Sequence, residues 1–242
     1  MSNVVLLENI QLTPVVELVP WTFATQSRTT PAGTTREHPE EWGCYWSLAL
    51  ADSGITELQP LRPGSFHVPT SNFHTPGNLQ RYLEITFQDW GGIDTLLDPE
   101  CSPVLDGGLA LECPAVDLLI EPACCGDLGN IDDWKAAATC RGTEWQMLWI
   151  GHPWLSVRYD APRLILSEPH ESTEPRARWG ILPAELDRAI VKAQSDLMQF
   201  AGEMARHLPA TGYQGDSASM AHRLAGIYEA GSQADNEAPQ PG

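Results

Sequence analysis

The stretch that decides the fold is residues 124–170, which read CCGDLGNIDDWKAAATCRGTEWQMLWIGHPWLSVRYDAPRLILSEPH. Residues 145–150 (WQMLWI) are apolar on both alternating faces, a pattern that predicts a central, buried strand. Residues 155–159 alternate between apolar and polar, as in a half-buried strand, and residues 163–167 resume after a proline-containing turn. This stretch therefore predicts a three-stranded antiparallel meander.

A short helix is predicted immediately before the meander. Asn130 is a suitable N-cap, and Asp132 and Asp133 follow in the first turn, where carboxylates favour the positive end of the helix dipole. The helix runs through Trp134 to about Thr139, and Arg141-Gly142 ends it.

The longest periodic segment is close to the C-terminus. Apolar residues recur at spacings of three and four over residues 182–208, with Pro183 at the first helical position and Pro209 at the end. This pattern predicts an amphipathic helix packed on a sheet. The fold class is therefore predicted to be α+β, with a mostly antiparallel sheet (a meander) packed by a long C-terminal amphipathic helix. Residues 1–208 form one domain in this interpretation, and residues 209–242 form a mobile tail with a short helix within residues 217–230.

Weaker patterns predict further extended segments. Prolines 14 and 20 interrupt residues 1–24, which are predicted to be extended segments at a sheet edge or wrapped around the core, because proline suits edges and not central strands. The dipeptide Gly107-Gly108 after Asp106 signals a hairpin turn between two short apolar runs. The other predicted strand or buried segments are residues 44–51, 82–87 and 116–120.

Charge narrows the classes of partner. The formal net charge is −18 at pH 7. Such acidity argues against nucleic acid, whose binding needs Lys and Arg to replace counterions, and against docking on anionic membranes. It suits a basic protein partner, although it also serves solubility alone. No apolar run approaches the ~20 residues of a membrane span, and no signal peptide is evident, so we expect a cytoplasmic protein with reduced thiols.

Candidate catalytic chemistry centres on His152, which follows the first strand of the meander. The adjacent pair Cys124-Cys125 could supply a nucleophile or, with Cys113 and Cys140, metal ligands. No ligand pair has zinc-finger spacing, and no hydrolase, zincin or nucleotide-binding motif occurs. Buried thiols and a hydrogen-bonded turn histidine are the simpler interpretations. We therefore expect no catalytic residue, bound metal or cofactor.

Two acidic patches that contain tryptophan are candidate protein-binding surfaces, because tryptophan dominates interface hot spots. His152 and Trp154 are a third candidate contact. The predicted partner-binding residues are Glu37, Glu40, Glu41 and Trp42 in the first patch, Asp127, Asp132, Asp133 and Trp134 in the second, and His152 and Trp154.

The chain resembles the immunity proteins of bacterial polymorphic-toxin systems. The resemblance covers residues 1–208 and rests on an acidic, tryptophan-rich α+β chain without motifs. It also rests on the segment Gly151-His152-Pro153-Trp154 and on the opening residues 10–21. It implies a binding protein that occludes a cognate toxin, and an acidic inhibitor would suit a basic toxin such as a nuclease.

Three hypotheses remain open at this level. The first is a non-enzymatic inhibitor or adaptor for a basic protein. The second is a small-molecule or metal-dependent enzyme that uses His152 and Cys124 or Cys125. The third is a structural subunit that assembles through the stripe of the C-terminal helix.

Overall fold

The structure, a computed structural model, describes residues 4–98 and 103–228. Six helices and nine strands occur in this part of the chain. The helices are α1 Pro20–Phe23, α2 Pro39–Asp52, α3 Asn78–Asp89, α4 Ile131–Thr139, α5 Pro183–His207 and α6 Ser217–Leu224. The strands are β1 Val5–Leu7, β2 Gln11–Glu17, β3 His67–Pro69, β4 Gly107–Cys113, β5 Leu118–Ile120, β6 Gln146–Leu148, β7 Leu155–Asp160, β8 Arg163–Ser167 and β9 Ala177–Ile181.

The strands form two sheets. One is a four-stranded antiparallel sheet in the order β3-β2-β4-β5. The other has five strands in the order β1-β9-β8-β7-β6, antiparallel except for the parallel pair of β1 and β9. The predicted meander is confirmed as β6-β7-β8, and β9 extends it. The fold is α+β, as predicted.

The long C-terminal helix is confirmed as α5, with Pro183 in its first turn. Its apolar stripe is buried inside the chain, where α5 packs against β2, α3, α4 and α6. Leu197 and Met204 have no exposed surface, for example. This burial removes the stripe as an assembly seam, because its side chains already have partners. No helix in the described ranges is both long and apolar enough to cross a membrane.

The predicted central strand at residues 145–150 is wrong in its position. Only Gln146–Leu148 form a strand, and this strand (β6) lies at the edge of the five-stranded sheet. Leu148 is buried, but Met147 is 58% exposed. Apolar residues on both faces indicated burial on both sides, whereas Trp145 contacts Arg158 of β7 and Trp149 contacts His152 and Trp154 in the following loop.

Residues 1–24 match the predicted sheet edge only in part, because β1 is an edge strand of the five-stranded sheet whereas β2 is an inner strand of the four-stranded sheet. Pro14 pairs with Leu109 of β4, but β3 pairs with β2 only from Val15 onwards. Pro14 therefore has a neighbouring strand on one side only, and its missing N–H costs no ladder hydrogen bond on the open side.

Two predicted strands are helices. Residues 44–51 lie in α2, where Trp46, Ala49 and Leu50 are buried at helical spacing. Residues 82–87 lie in α3, which buries Leu79, Tyr82, Leu83 and Phe87. The short alternating runs resembled strands, and only the longer window shows the period of 3.6 residues.

The predicted hairpin at Asp106-Gly107-Gly108 is also wrong. Both glycines are inside the pairing of β4 with β2 and have φ values of 140° and 143°. A Cβ on Gly107 would lie 2.1 Å from the Val15 carbonyl oxygen. The glycines therefore permit close strand contact, and they leave Asp106 at the beginning of β4. The predicted strand 116–120 begins later, at Leu118, after a 3-10 turn.

Two local predictions near the termini of helices need correction or extension. Asn130 makes no side-chain cap to α4, because its Oδ1 accepts a hydrogen bond from the Leu109 N–H at 3.1 Å.

The predicted short helix in the C-terminal segment is α6, which packs on α5, and the Leu224 carbonyl accepts a hydrogen bond from the Leu105 N–H at 2.9 Å. The packed core thus continues past residue 208. Residues 229–242 of the predicted tail lie outside the described residues.

Candidate protein-binding surfaces

The first predicted patch surrounds the beginning of α2. Glu40 and Glu41 are exposed in its first helical turn. Glu37 precedes the helix and accepts hydrogen bonds from the Thr34 N–H at 2.9 Å and the Thr34 hydroxyl at 3.0 Å. These two bonds lower the pKa of Glu37, so this carboxylate stays charged. The three carboxylates form an acidic rim.

Beside this rim is a row of aromatic rings that sequence reasoning identified only in part. Trp42 is half-buried, and its ring lies 5.8 Å from that of Tyr45 and 6.1 Å from that of Phe66. The Trp21 ring lies edge-on to Phe66 at 6.1 Å and is 61% exposed. We call Trp21, Trp42 and Phe66 the aromatic row. Trp21 gave no signal in the sequence, because only the fold sets it beside the other rings.

The second predicted patch is rearranged by the fold. Trp134 has no exposed surface, so it belongs to the core and contacts no partner. Asp132 is exposed and makes an ion pair with Lys135 at 2.9 Å. Asp127 and Asp133 are half-buried, and they join two further carboxylates that the sequence did not indicate, Glu17 and Asp106.

We call Glu17, Asp106, Asp127 and Asp133 the acidic cluster. The Glu17 N–H donates to the Asp106 carbonyl at 2.9 Å, and Asp106 and Asp127 face each other in an isolated β-bridge. The first of these contacts joins residues that are 89 positions apart in the sequence. None of the four makes an ion pair with a cation anywhere in residues 4–98 and 103–228.

Electrostatics within the acidic cluster are unfavourable. Burial, with repulsion from Asp106, raises the pKa of Glu17, and burial with repulsion from Asp127 raises that of Asp106. Burial also raises the pKa of Asp127, and burial with repulsion from Asp132 and Asp127 raises that of Asp133. Hydrogen bonds from the Gly129 N–H to Asp127 and from the Trp149 N–H to Asp133 lower the pKa values of these two carboxyls, but they offset only part of the increase. A cation placed here would relieve the repulsion.

The third candidate contact is the loop between β6 and β7. The His152 ring is exposed and lies edge-on to Trp149 at 4.7 Å and to Trp154 at 5.4 Å. Trp154 is half-buried and lies 5.7 Å from the His170 ring. The loop therefore presents one imidazole on an aromatic base.

The same loop bears on the enzyme hypothesis. Cys124 and His152 do meet, but through the main chain of His152. Its N–H donates to the Cys124 carbonyl at 2.9 Å, and the Cys124 thiol donates to its carbonyl at 3.3 Å. No carboxylate reaches the His152 ring in the described ranges. A hydrogen bond with Cys124 raises the pKa of Cys125, which lowers its thiolate fraction.

One serine–histidine pair does have hydrogen-bond geometry. Ser156 Oγ and His170 Nε2 are 2.9 Å apart, and His170 Nδ1 is 2.9 Å from the Ser172 carbonyl oxygen. Ser156 is only 4% exposed, however, and its N–H donates to Ser167 Oγ. The pair therefore fixes the loop after β8 to the sheet, and the Ser156 hydroxyl is not open to a substrate.

Metal ligation has little geometric basis. No group of three or more His, Cys, Asp or Glu side chains is arranged to hold a metal ion within the described residues. Cys113 and Cys140 are buried, and their thiols contact the carbonyl oxygens of Glu8 at 3.4 Å and Gly142 at 3.8 Å.

Comparisons of the chain with protein-family models, with curated proteins and with solved structures found no match.

Proposed function

We propose that this protein is a non-enzymatic, cytoplasmic binding protein that docks a basic protein partner, in the manner of a toxin-neutralising immunity protein. The observation that carries the proposal is the acidic cluster, in which four carboxylates meet without a cation in the described part of the chain. Such an arrangement costs folding free energy. Arginine or lysine side chains of a partner would offset that cost on binding.

An aromatic anchor next to the cluster supports the same proposal. Trp21 follows Glu17 by four residues, so their Cα atoms are at most about 15 Å apart. The Leu18 N–H between them donates to the Phe66 carbonyl at 2.9 Å, which ties this segment to the aromatic row. A standard interface of about 800 Å² per partner is wide enough to include both. The rim carboxylates Glu40 and Glu41 extend the same negative surface beyond Trp42.

The partner can be identified by affinity capture on the full chain from native lysate at low and high salt, followed by a direct titration. We expect a basic protein that is released as salt rises, because the attraction is electrostatic. With that partner, Glu17→Gln/Asp106→Asn should lower the association rate and flatten its salt dependence. Trp21→Ala should weaken affinity about 30-fold or more, as for a hot-spot tryptophan.

A matched control removes the same charge elsewhere. Glu144 and Glu171 are exposed and make no ion pair in the described ranges. Glu144→Gln/Glu171→Gln should therefore leave the association rate nearly unchanged. If it slows association as much as Glu17→Gln/Asp106→Asn, only net charge matters and the acidic cluster is not the docking site. A partner that binds equally at both salts would contradict the proposal.

The enzyme hypothesis has a separate test. His152→Ala should leave partner affinity at the acidic cluster unchanged, because the His152 ring contacts Trp149 and Trp154 and no carboxylate of the cluster. Thiol labelling at neutral pH should be slow at Cys125, whose raised pKa disfavours the thiolate. If Cys125 is labelled fast in the parent chain and this fast labelling is lost in His152→Ala, the result would favour the enzyme hypothesis.

A further inference from the structure

Positive charge is scarce in this chain, and half of its Lys and Arg residues are neutralised by ion pairs within the fold. The sequence has 14 Lys and Arg residues against 32 Asp and Glu residues. Both lysines and five arginines make ion pairs with carboxylates. Arg158, Arg176 and Arg178 are among the arginines that make no ion pair with a carboxylate within residues 4–98 and 103–228, and these three line one pocket together.

These three arginines surround one pocket on the five-stranded sheet. Arg158 is on the face of β7 opposite to the buried Leu155 and Val157, and Arg178 is on β9. The pocket encloses about 470 Å³, a volume within the range of small-molecule sites. Its lining consists of Trp145, Arg158, Glu168, Pro175, Arg176, Ala177 and Arg178. We call it the arginine pocket.

Arg158 is held in place at the base of the pocket. Its guanidinium carbon lies 4.7 Å from the centre of the Trp145 ring, a cation–π contact that fixes the plane of the group. Its Nε is buried and has no hydrogen-bond partner. A buried donor without an acceptor costs about 1–3 kcal/mol, so native structures usually supply one. A ligand oxygen that reached Arg158 Nε would supply the missing acceptor.

A β-bulge brings the other two arginines to the pocket. Leu166 pairs with Trp179 and Ser167 with Ala177, so Arg178 is an extra residue without a partner on β8. A bulge re-aims the side chains on its strand and is common beside functional sites. The main chain at Arg176 is fixed as well, because its carbonyl accepts from the Glu168 N–H at 3.2 Å.

The chemistry of the lining selects the class of ligand. Each guanidinium has five N–H donors, and three of them together exceed what the two oxygens of one carboxylate can accept. A phosphate group has more oxygens and matches the guanidinium fork. With Glu168 in the wall, the lining has two more positive than negative charges, which suits a group with about −1.5 to −2 charge at neutral pH. Trp145, Pro175 and Ala177 offer apolar surface for an organic remainder.

We propose that the arginine pocket binds the phosphate group of a small organic phosphomonoester. Arg158 forms the fixed base, and Arg176 and Arg178 close on the phosphate oxygens from β9. This inference is independent of the proposed protein docking, because it rests on cations of the other sheet. A partner that binds the acidic cluster neither requires nor excludes it.

Titration calorimetry on the full chain tests the proposal, with inorganic phosphate, glycerol phosphate and malonate at constant ionic strength. We expect saturable binding of one glycerol phosphate per chain, with inorganic phosphate weaker and malonate weaker still. Arg176→Gln/Arg178→Gln should weaken glycerol phosphate binding at least tenfold, because charge-assisted hydrogen bonds are lost. Both arginines are exposed, so this variant should fold.

Arg36→Gln is the matched control for loss of positive charge. Arg36 is exposed, is far from the pocket lining, and makes no ion pair in the described ranges. It should bind glycerol phosphate as the parent chain does. Arg158→Gln should abolish binding and serves as a third variant if it folds. The proposal is overturned if no saturable binding occurs, if malonate binds as tightly as glycerol phosphate, or if Arg176→Gln/Arg178→Gln and Arg36→Gln give equal affinities.

Discussion

The acidic cluster and the arginine pocket are opposite in charge and alike in construction. In both, like charges from different segments of the chain meet beside strands, and neither contains an intramolecular ion pair in the described residues. Most ion pairs in the rest of the described fold are local and join residues three or four positions apart, as Lys192 and Asp196 do. Opposite charges one helical turn apart lie close enough to pair without any tertiary contact, whereas a cluster of like charges lowers the stability of the folded state. We infer that each region is shaped for a ligand of the opposite sign.

The tryptophans beside the two regions differ in how deeply they are buried. Beneath the acidic cluster, Trp134 is fully buried, whereas Trp145 at the arginine pocket is half-buried and stacks on Arg158. Trp134→Ala should therefore cost about 3–5 kcal/mol of unfolding free energy, since it opens a cavity. Trp145→Ala should cost about 1 kcal/mol, mostly the cation–π contact. Urea denaturation followed by far-UV circular dichroism measures both. Equal costs would mean that the two tryptophans have the same structural role.

Charge removal should affect stability in opposite directions at two acidic sites. Glu17→Gln/Asp106→Asn relieves repulsion and should stabilise the chain by about 0.5–1 kcal/mol after solvent screening. Glu40→Gln/Glu41→Gln removes anions from the first turn of α2, where the helix dipole favours them, and should destabilise by a similar amount. The free energy of unfolding, measured at neutral pH for both double variants and the parent chain, tests this prediction. Stabilisation by both pairs would show that net charge alone governs the response.

The pH dependence of folding stability tests the repulsion in the acidic cluster more directly. Raised pKa values mean that the folded state binds protons more tightly than the unfolded state at Glu17 and Asp106. Their ionisation therefore reduces stability as pH rises through the interval between the ordinary and the raised pKa. The advantage of Glu17→Gln/Asp106→Asn should be full at neutral pH and should vanish below pH 3.8, the ordinary value for Asp106.

This advantage must be read as a difference between variant and parent. Burial lowers the pKa of His67, so its contribution to stability is lost as pH falls below 6.5. His67 is present in both chains, and its effect cancels in the difference. Thermal denaturation from acidic to neutral pH provides the measurement, and an advantage that grows towards acid would contradict the assignment.

The smallest expected effect is that of salt on the free protein. Raising NaCl from about 50 to about 500 mM screens like-charge repulsion and should stabilise the parent chain by a few tenths of a kcal/mol. Glu17→Gln/Asp106→Asn should show less of this gain, and Arg36→Gln should show no less than the parent. An equal gain in all three chains would place the repulsion outside the acidic cluster.

The sequence predicted the elements whose pattern is local and long. Twenty-five residues of α5 repeat the apolar spacing over about seven turns, residues 155–159 of β7 alternate, and β8 follows a proline turn. Short runs were ambiguous, because residues 44–51 are a short apolar run and residues 82–87 alternate like a strand, while both belong to longer helices. The glycines of β4 were misinterpreted because close strand contact and a tight turn both favour glycine.

The candidate surfaces were only partly predictable for a related reason. Asp127 and Asp133 stood out because they follow a turn and begin a helix. Trp134 was assigned to the same patch, although helix periodicity directs it into the core, three positions from the buried Ala137. Glu17, Asp106 and Trp21 gave no sequence signal, since their relevance depends on neighbours contributed by other segments.

The sequence by itself determined the α+β class, the meander, the amphipathic helix and the strong negative charge, since periodicity and composition act within one segment. Only the tertiary structure decided where charge remains unpaired. The bridge between Asp106 and Asp127 and the bulge at Arg178 are set by the register between strands. Register depends on packing of the whole core, so residues that meet across it cannot be read from their own segments.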